Sequence, residues 1–169
     1  MASESIRRIA EEMIRHGWRL SSDYIERILP EKNFPSSKAC MEELLSLDLR
    51  RKPPNNIIEP FFPDNINTAD CELQGPVVLQ ISSVANVAQP LRRQLEDIRP
   101  RMLLIKLSDG VLKASAVEIE SVTGIKANCP PGTKVKLTGK ILVRKGKILL
   151  NSSNFQYLGK YYFSPSVYF

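Results

Sequence analysis

The chain has 169 residues, enough for one medium domain or two small ones, and its apolar and charged shares of 43% and 25% are ordinary for a globular protein. No apolar run approaches the roughly 20 residues that span a bilayer, and the amphipathic start MASESIRRIAEEMIRHGW lacks the apolar core of a signal peptide, so a soluble intracellular protein is expected. The net charge of +6 is uneven: residues 1–70 hold ten Lys/Arg against twelve Asp/Glu, and residues 71–150 hold thirteen against six, which makes the second part the one prone to approach polyanions.

Ile6, Ile9, Ala10, Met13 and Ile14 fall on one stripe of a 3.6-residue period, so a helix is predicted from a cap at Ser3 or Ser5 to Gly17. A second short helix is expected from Ser22 or Asp23, with Asp23 and Glu26 at capping-box spacing, burying Tyr24, Ile25, Ile28 and Leu29 and stopping at Pro30. A third starts near Ser36 or Ser37, buries some of Ala39, Cys40, Leu44, Leu45 and Leu47, and ends near Leu49. Three short helices make a bundle too small to be comfortable alone. Residues 50–70 follow, with four prolines and four asparagines that leave little room for regular structure. Their apolar pairs Ile57–Ile58 and Phe61–Phe62 indicate an extended segment that lies across both parts and fastens them.

From residue 75 the period changes to two. Strands are predicted over 76–84, 101–107, 111–119, 133–143 and 147–150, with Asp109-Gly110 as a hairpin turn and Lys145-Gly146 as another. Residues 120–132 form a short helical or turn-like excursion, and Gly139 inside the fourth strand suits a bend or bulge. Five strands with an irregular segment between the third and fourth are the layout of an OB-fold, a Greek-key barrel. The expected class is therefore α+β: a small N-terminal three-helix domain (1–52), an extended connector (53–74), a five-stranded OB-fold β-barrel (75–159) and an atypical tail (160–169).

One connection is unusual. Strands one and two are joined by residues 85–100, where about two to five would serve a hairpin. Loops of this length in compact domains are functional or disordered. This one mixes Val87, Ala88, Pro90, Leu91 and Leu95 with Arg92, Arg93 and Arg99; spacing alone leaves open a flexible insertion with no role.

Catalytic chemistry has no foothold in the pattern. The lone histidine, His16, sits at a helix end, and no Ser, Cys or carboxylate lies in a nucleophile motif. Residues 132–140, GTKVKLTGK, invite comparison with a phosphate-binding loop, but the glycines are seven apart and Lys140 is followed by Ile141. Cys40, Cys71 and Cys129 are distant and unmatched, which fits free, buried thiols in a reducing compartment. No enzyme, metal, cofactor or membrane partner is expected. Nucleic acid is the alternative ligand of such a barrel, through Lys106, Lys113, Lys134, Lys136, Lys140, Arg144, Lys145 and Lys147 on strands read as pointing outward. Residues 71–150 hold no Phe, Tyr or Trp, so the stacking platforms that give tight single-strand binding are missing, while Phe155 and Tyr157 just after the last strand are expected to pack. Binding of DNA or RNA would be weak, salt-sensitive and sequence-blind.

An ordered set of short stretches carries a resemblance: His16-Gly17-Trp18-Arg19-Leu20, Asp48-Leu49-Arg50, LQGPVVLQI at 73–81, Asn86-Val87-Ala88, Pro100-Arg101-Met102-Leu103, Ser108-Asp109-Gly110, Ala116-Val117-Glu118, PPGTKVKLTG at 130–139, LLNSSN at 149–154 and Leu158-Gly159. In this order they resemble the N-terminal helical and OB-fold region of the RecQ-mediated genome instability protein family, in its tudor domain-containing protein 3 branch, over residues 4–159. The resemblance implies a non-catalytic scaffold for a type IA topoisomerase, the III beta type before the III alpha type, acting on DNA or RNA in the nucleus and cytoplasm. It places the partner-binding residues on the long loop: Asn86, Val87, Ala88, Gln89, Pro90, Leu91, Arg92, Arg93 and Arg101. The ubiquitin-associated segment and tudor domain of that branch have no counterpart here, so methylarginine reading is not carried over. The tail KYYFSPSVYF, with five aromatics in ten residues, matches nothing in the resemblance and reads as an alternative or truncated ending that caps the barrel or stays disordered.

Overall fold

Residues 3–50 and 56–159 are described in the computed structural model of the chain. The first two residues, the connector's 51–55 and the aromatic tail 160–169 lie outside the described residues, and the expectations for them with it. Helix α1 spans Glu4–Arg15, with the Ser3 side chain accepting the Ile6 N–H, and it buries Ile9, Ala10 and Met13. Ile14, on the edge of the predicted stripe, stays half exposed.

The second helical stretch departs from expectation at both ends. Asp23 is already helical and caps nothing; its carboxylate grips Arg27 one turn on, and Ser21 Oγ accepts the Tyr24 N–H instead. Nor does the stretch stop at Pro30. Tyr24–Ile28 forms a π-helical turn in which the Leu29 N–H reaches back to the Tyr24 carbonyl, and α2 (Leu29–Lys32) follows directly. Pro30 thereby falls in the first turn of α2, where no N–H is needed, and the left-handed Asn33 closes it. Helix α3 (Ser37–Ser46) is capped by Ser36 and ends three residues before Leu49, because Leu47 is extended. The three pack around Met13, Trp18, Tyr24, Leu29, Cys40 and Leu44.

The described part of the connector does fasten the two cores. Ile58 bridges Leu20 and joins the helical cluster, while Phe62 and Ile66 enter the second one. The Phe61 and Phe62 N–H groups donate to Asp109 Oδ2 at 2.9 and 2.8 Å, and the Arg19 guanidinium lies over the Phe61 ring.

The sheet is larger than five strands. It has eight: β1 (Cys71–Gln74), β2 (Val77–Asn86), β3 (Leu103–Ser108), β4 (Lys113–Glu118), β5 (Lys134–Leu137), β6 (Lys140–Arg144), β7 (Lys147–Leu150) and β8 (Phe155–Gly159). Their order is β1-β6-β7-β4-β3-β2-β5-β8, antiparallel throughout except for β4 with β7, and its hydrogen-bonded ladder does not close. The predicted fourth strand is broken into β5 and β6 at Thr138-Gly139, and the halves pair far apart in the sheet, β5 with β2 and β6 with β7. A five-stranded barrel is thus replaced by a curled sheet whose separated ladders are joined through the chain. β1 and β8 escaped prediction because they are only four and five residues long, and β8 carries no clean alternation. Both are edge strands.

Leu79, Ile81, Leu103, Ile105, Leu107, Val135, Leu137, Ile141, Val143, Ile148 and Leu150 fill the curl. Residues 120–132 form turns, not a helix, and drop Val122, Ile125 and Ala127 into the same core. Phe155 packs there as well, whereas Tyr157 remains more than a third exposed.

Two glycines separate backbone conformation from space. Gly139 has φ +65° with nothing within 4 Å of an added Cβ, while Gly146 has φ +75° and an added Cβ would lie 2.0 Å from the Asn67 carbonyl oxygen. Urea unfolding should show Gly139→Ala costing about 1 kcal/mol, the left-handed penalty alone. Gly146→Ala should cost about 3 kcal/mol or more, since backbone must move as well.

Candidate partner-binding loop

The long connection between β2 and β3 is ordered from inside. Asn86, fully buried at the end of β2, accepts the Met102 N–H on Oδ1 at 3.0 Å and donates Nδ2 to the Ile98 carbonyl at 3.0 Å, with the Glu96 and Pro100 carbonyls at 3.3 and 3.4 Å. Gln89 Nε2 donates to the Pro100 carbonyl at 2.8 Å, and Gln94 Nε2 donates to the Gln89 carbonyl at 3.2 Å. Between them Leu91–Arg93 makes a 3-10 turn, closed by Arg93 N–H to Pro90 O. Buried backbone carbonyls need donors, and here amide side chains supply them.

The root is clamped by charge. Arg101 Nε and Nη2 meet the two oxygens of Glu118 at 2.8 and 3.1 Å, Nη1 reaches Asp97 at 3.2 Å, and Nη2 also donates to the Val122 carbonyl. Glu118 further accepts the Leu103 and Val122 N–H groups, and the pair's side chains are only 11% and 2% exposed. The hydrogen bond from Arg101 to Glu118 raises the guanidinium above its usual range, against its partial burial. A fork-to-fork pair of this kind fixes direction as well as distance.

The predicted loop residues therefore divide. Asn86, Gln89 and Arg101 face inward and hold the shape; Val87, Ala88, Pro90, Leu91, Arg92 and Arg93 are exposed. Leu91 is 86% exposed and Leu95 69%, so the loop pushes apolar side chains into solvent from a fastened base. Arg93 pairs with Glu96 at 3.0 Å. The sequence left open a flexible insertion; its hydrogen bonds instead describe a shaped projection. Leu95 and Met102, also exposed and beside the same residues, were absent from the candidate set. Leu95 lies one helical step beyond Leu91, and Met102 is the first residue after the clamp, signals that only the folded turn gives meaning.

Among the basic candidates Lys134 is a correction. It does not point outward but is fully buried, its ammonium donating to the Leu47 carbonyl at the end of α3 and to the Gly132 carbonyl. β5 is covered on both edges, by β2 and β8, and an irregularity between Lys134 and Val135 sends both inward. Burial lowers Lys134 from 10.5 to about 7, opposed by the Asp48 carboxylate. Burial works against the charge on Asp48 too, but hydrogen bonds from Arg50 and Gln80 outweigh it and hold the carboxyl well below its usual range. Gln80 of β2 also accepts the Leu49 N–H, so this network joins helices to sheet.

Lys136 is half-buried, and Lys140 pairs with Glu72 at 3.3 Å. Arg144, Lys145 and Lys147 are exposed, as are Lys106 and Lys113. Among the described residues no group of three or more His, Cys, Asp or Glu gathers as a metal site, and no helix is long and apolar enough to cross a membrane.

A curled sheet flanked by a helical cluster, with the connection between β2 and β3 built into an apolar and arginine-bearing projection, is the arrangement of an OB-fold domain with a helical flank. The family model described as RMI1, N-terminal OB-fold domain, matches residues 62–163, and the chain belongs to that family. It is similar to tudor domain-containing protein 3 of Danio rerio, 34% identical over 154 residues that make up 89% of this chain and 20% of the relative. The same-named protein of Xenopus tropicalis is 40% identical over 100 residues, 59% of this chain and 14% of the relative. RecQ-mediated genome instability protein 1 of Mus musculus is 32% identical over 148 residues, 73% of this chain and 23% of the relative. The chain thus spans about a fifth of the length of such relatives.

Two substitutions test this architecture. Asn86→Ala should cost about 1–3 kcal/mol by leaving buried groups unpaired, and should speed amide exchange at Met102 at least tenfold while β6 stays protected. For Lys134, the unfolded chain binds the proton more tightly than the folded one, so between pH about 7 and 10.5 stability should climb with pH. Lys134→Met should flatten that climb and cost about 1–3 kcal/mol at pH 9, read from urea melts, because two carbonyls lose their donor.

Proposed function

We propose that this chain is a non-catalytic scaffold that binds a type IA topoisomerase, of the III beta rather than the III alpha type, and modulates its action on DNA or RNA in the nucleus and cytoplasm. The observation that carries the reading is the clamped loop. Val87, Pro90, Leu91 and Leu95 stand exposed on a base fixed by Asn86 and the Arg101–Glu118 pair. Pre-set apolar side chains lose little freedom on binding, which favours a protein surface as the ligand. The exposed Arg92, Arg93 and Arg99 rim the patch and suit a partner that itself holds a polyanion. Membership of the RMI1 OB-fold family and the resemblance read from the sequence supply the partner class. In this reading the helical part and the connector up to Asp70 brace the sheet, of which Cys71–Gln74 is already the β1 edge strand, and the chain performs no chemistry.

Co-elution of the purified chain with topoisomerase III beta in size-exclusion chromatography is the expected result, persisting at about 300 mM salt because the interface is led by apolar contacts. A Val87→Asp/Pro90→Asp/Leu91→Asp variant, whose changed residues are all at the surface, should keep its melting temperature and lose the complex. Failure of the folded natural chain to bind either type III enzyme would overturn the reading.

A further inference from the structure

The outward face of the sheet carries a feature that the scaffold reading does not use. Ser83 on β2 is opposite Lys106 on β3, Lys106 opposite Ser115 on β4, Ser115 opposite Lys147 on β7, and Lys147 opposite Arg144 on β6. Each alternates with residues pointing into the core, such as Ile105, Ala116, Ile148 and Val143, so all five side chains share the outer surface. With strands about 4.8 Å apart, Lys106 to Arg144 covers about 14 Å in a straight cross-strand row. Lys113, two residues before Ser115, adds a further exposed charge on the same face.

Among the described residues Lys106, Lys113 and Lys147 enter no ion pair, unlike Lys140, which is met by Glu72. No carboxylate stands in the row. Four strands, β3, β4, β6 and β7, had to come together before these charges, which are scattered from 106 to 147 in the sequence, shared one face. We propose that this row is a phosphate-backbone track that binds nucleic acid without regard to sequence. The proposal goes beyond the scaffold reading and does not depend on it.

Two observations favour nucleic acid over an anionic membrane. The neighbours interleaved with the lysines are serines, whose hydroxyls donate to phosphate oxygens, and no exposed large apolar side chain stands within the row to enter a bilayer. The chain also lacks aromatics from 71 to 150, so stacking on splayed bases is not available and contacts must run through phosphates. A half-buried apolar row, Ala85, Leu104, Val117 and Leu149, separates the basic row from the loop. The two surfaces can therefore be occupied together.

The test is fluorescence anisotropy with a labelled 20-base-pair DNA duplex of arbitrary sequence. If about four phosphates are contacted, affinity should fall about 150-fold between 50 and 200 mM salt. Lys106→Gln/Lys113→Gln/Lys147→Gln, judged folded by an unchanged melting temperature, should bind at least tenfold more weakly at 50 mM and lose only about threefold over the same salt range. Replacing the three lysines by arginine should preserve binding. The loop variant with three aspartates should bind the duplex as the natural chain does, and the glutamine triple should still co-elute with the topoisomerase, so the two readings fail separately. Equal affinity of the glutamine triple and the natural chain would overturn the proposal, as would no duplex binding at 50 mM salt. Capture by phosphatidylserine vesicles without duplex binding would overturn it in favour of a membrane surface.

Discussion

The carboxylate of Glu118, at the end of β4, ties the loop root and the start of β3 to the turns that follow β4. It accepts the Leu103 N–H at the start of β3, the Val122 N–H after β4 and the guanidinium of Arg101 at the loop root. A charge this deep is tolerated only when its acceptors are filled, and removing one partner of such a pair typically costs about 3–5 kcal/mol. Arg101 in turn reaches Asp97, whose same oxygen accepts the Ala127 N–H, so the loop is tied to the turns that plug the curl. The shape of the exposed loop is thus set at its base, largely by side chains that face inward.

Much of this was legible in residue order. The Asp109-Gly110 turn, the period-two runs and the length of residues 85–100 located the hairpin β3–β4, the inward faces and the projecting loop. What escaped followed from tertiary context. Lys134 looked like an outward lysine until the irregularity beside Val135 turned it inward onto the Leu47 carbonyl. Asp23 had the spacing of a cap, but Ser21 reached the Tyr24 N–H first. Asn86 and Gln89 read as loop surface because nothing local reveals that carbonyls from residues 96–100 would return to them. Polar side chains at a candidate site can be its framework, and only the folded path tells framework from contact surface.

The same distinction reorders the charges. By sequence, the basic cluster seemed to centre on residues 134–147, a run along two strands. In the fold one of its lysines serves as an internal strut and another is matched by Glu72, while Lys106, far upstream, lines up with Lys147 and Lys113 stands on the same face. Net charge predicted that this half would be positive. Register decided where.

β2 has a property that bears on how this architecture can be inherited. Val77 and Leu79 point into the sheet core, whereas Val78 between them belongs to the helical cluster, and its N–H donates to the Gly17 carbonyl. One strand is therefore a wall of both compartments. A gene fragment encoding the barrel without the preceding helices would translate a strand with a bare apolar flank, so recombination at that junction yields a sticky product. That shared wall favours keeping the helices and the sheet together.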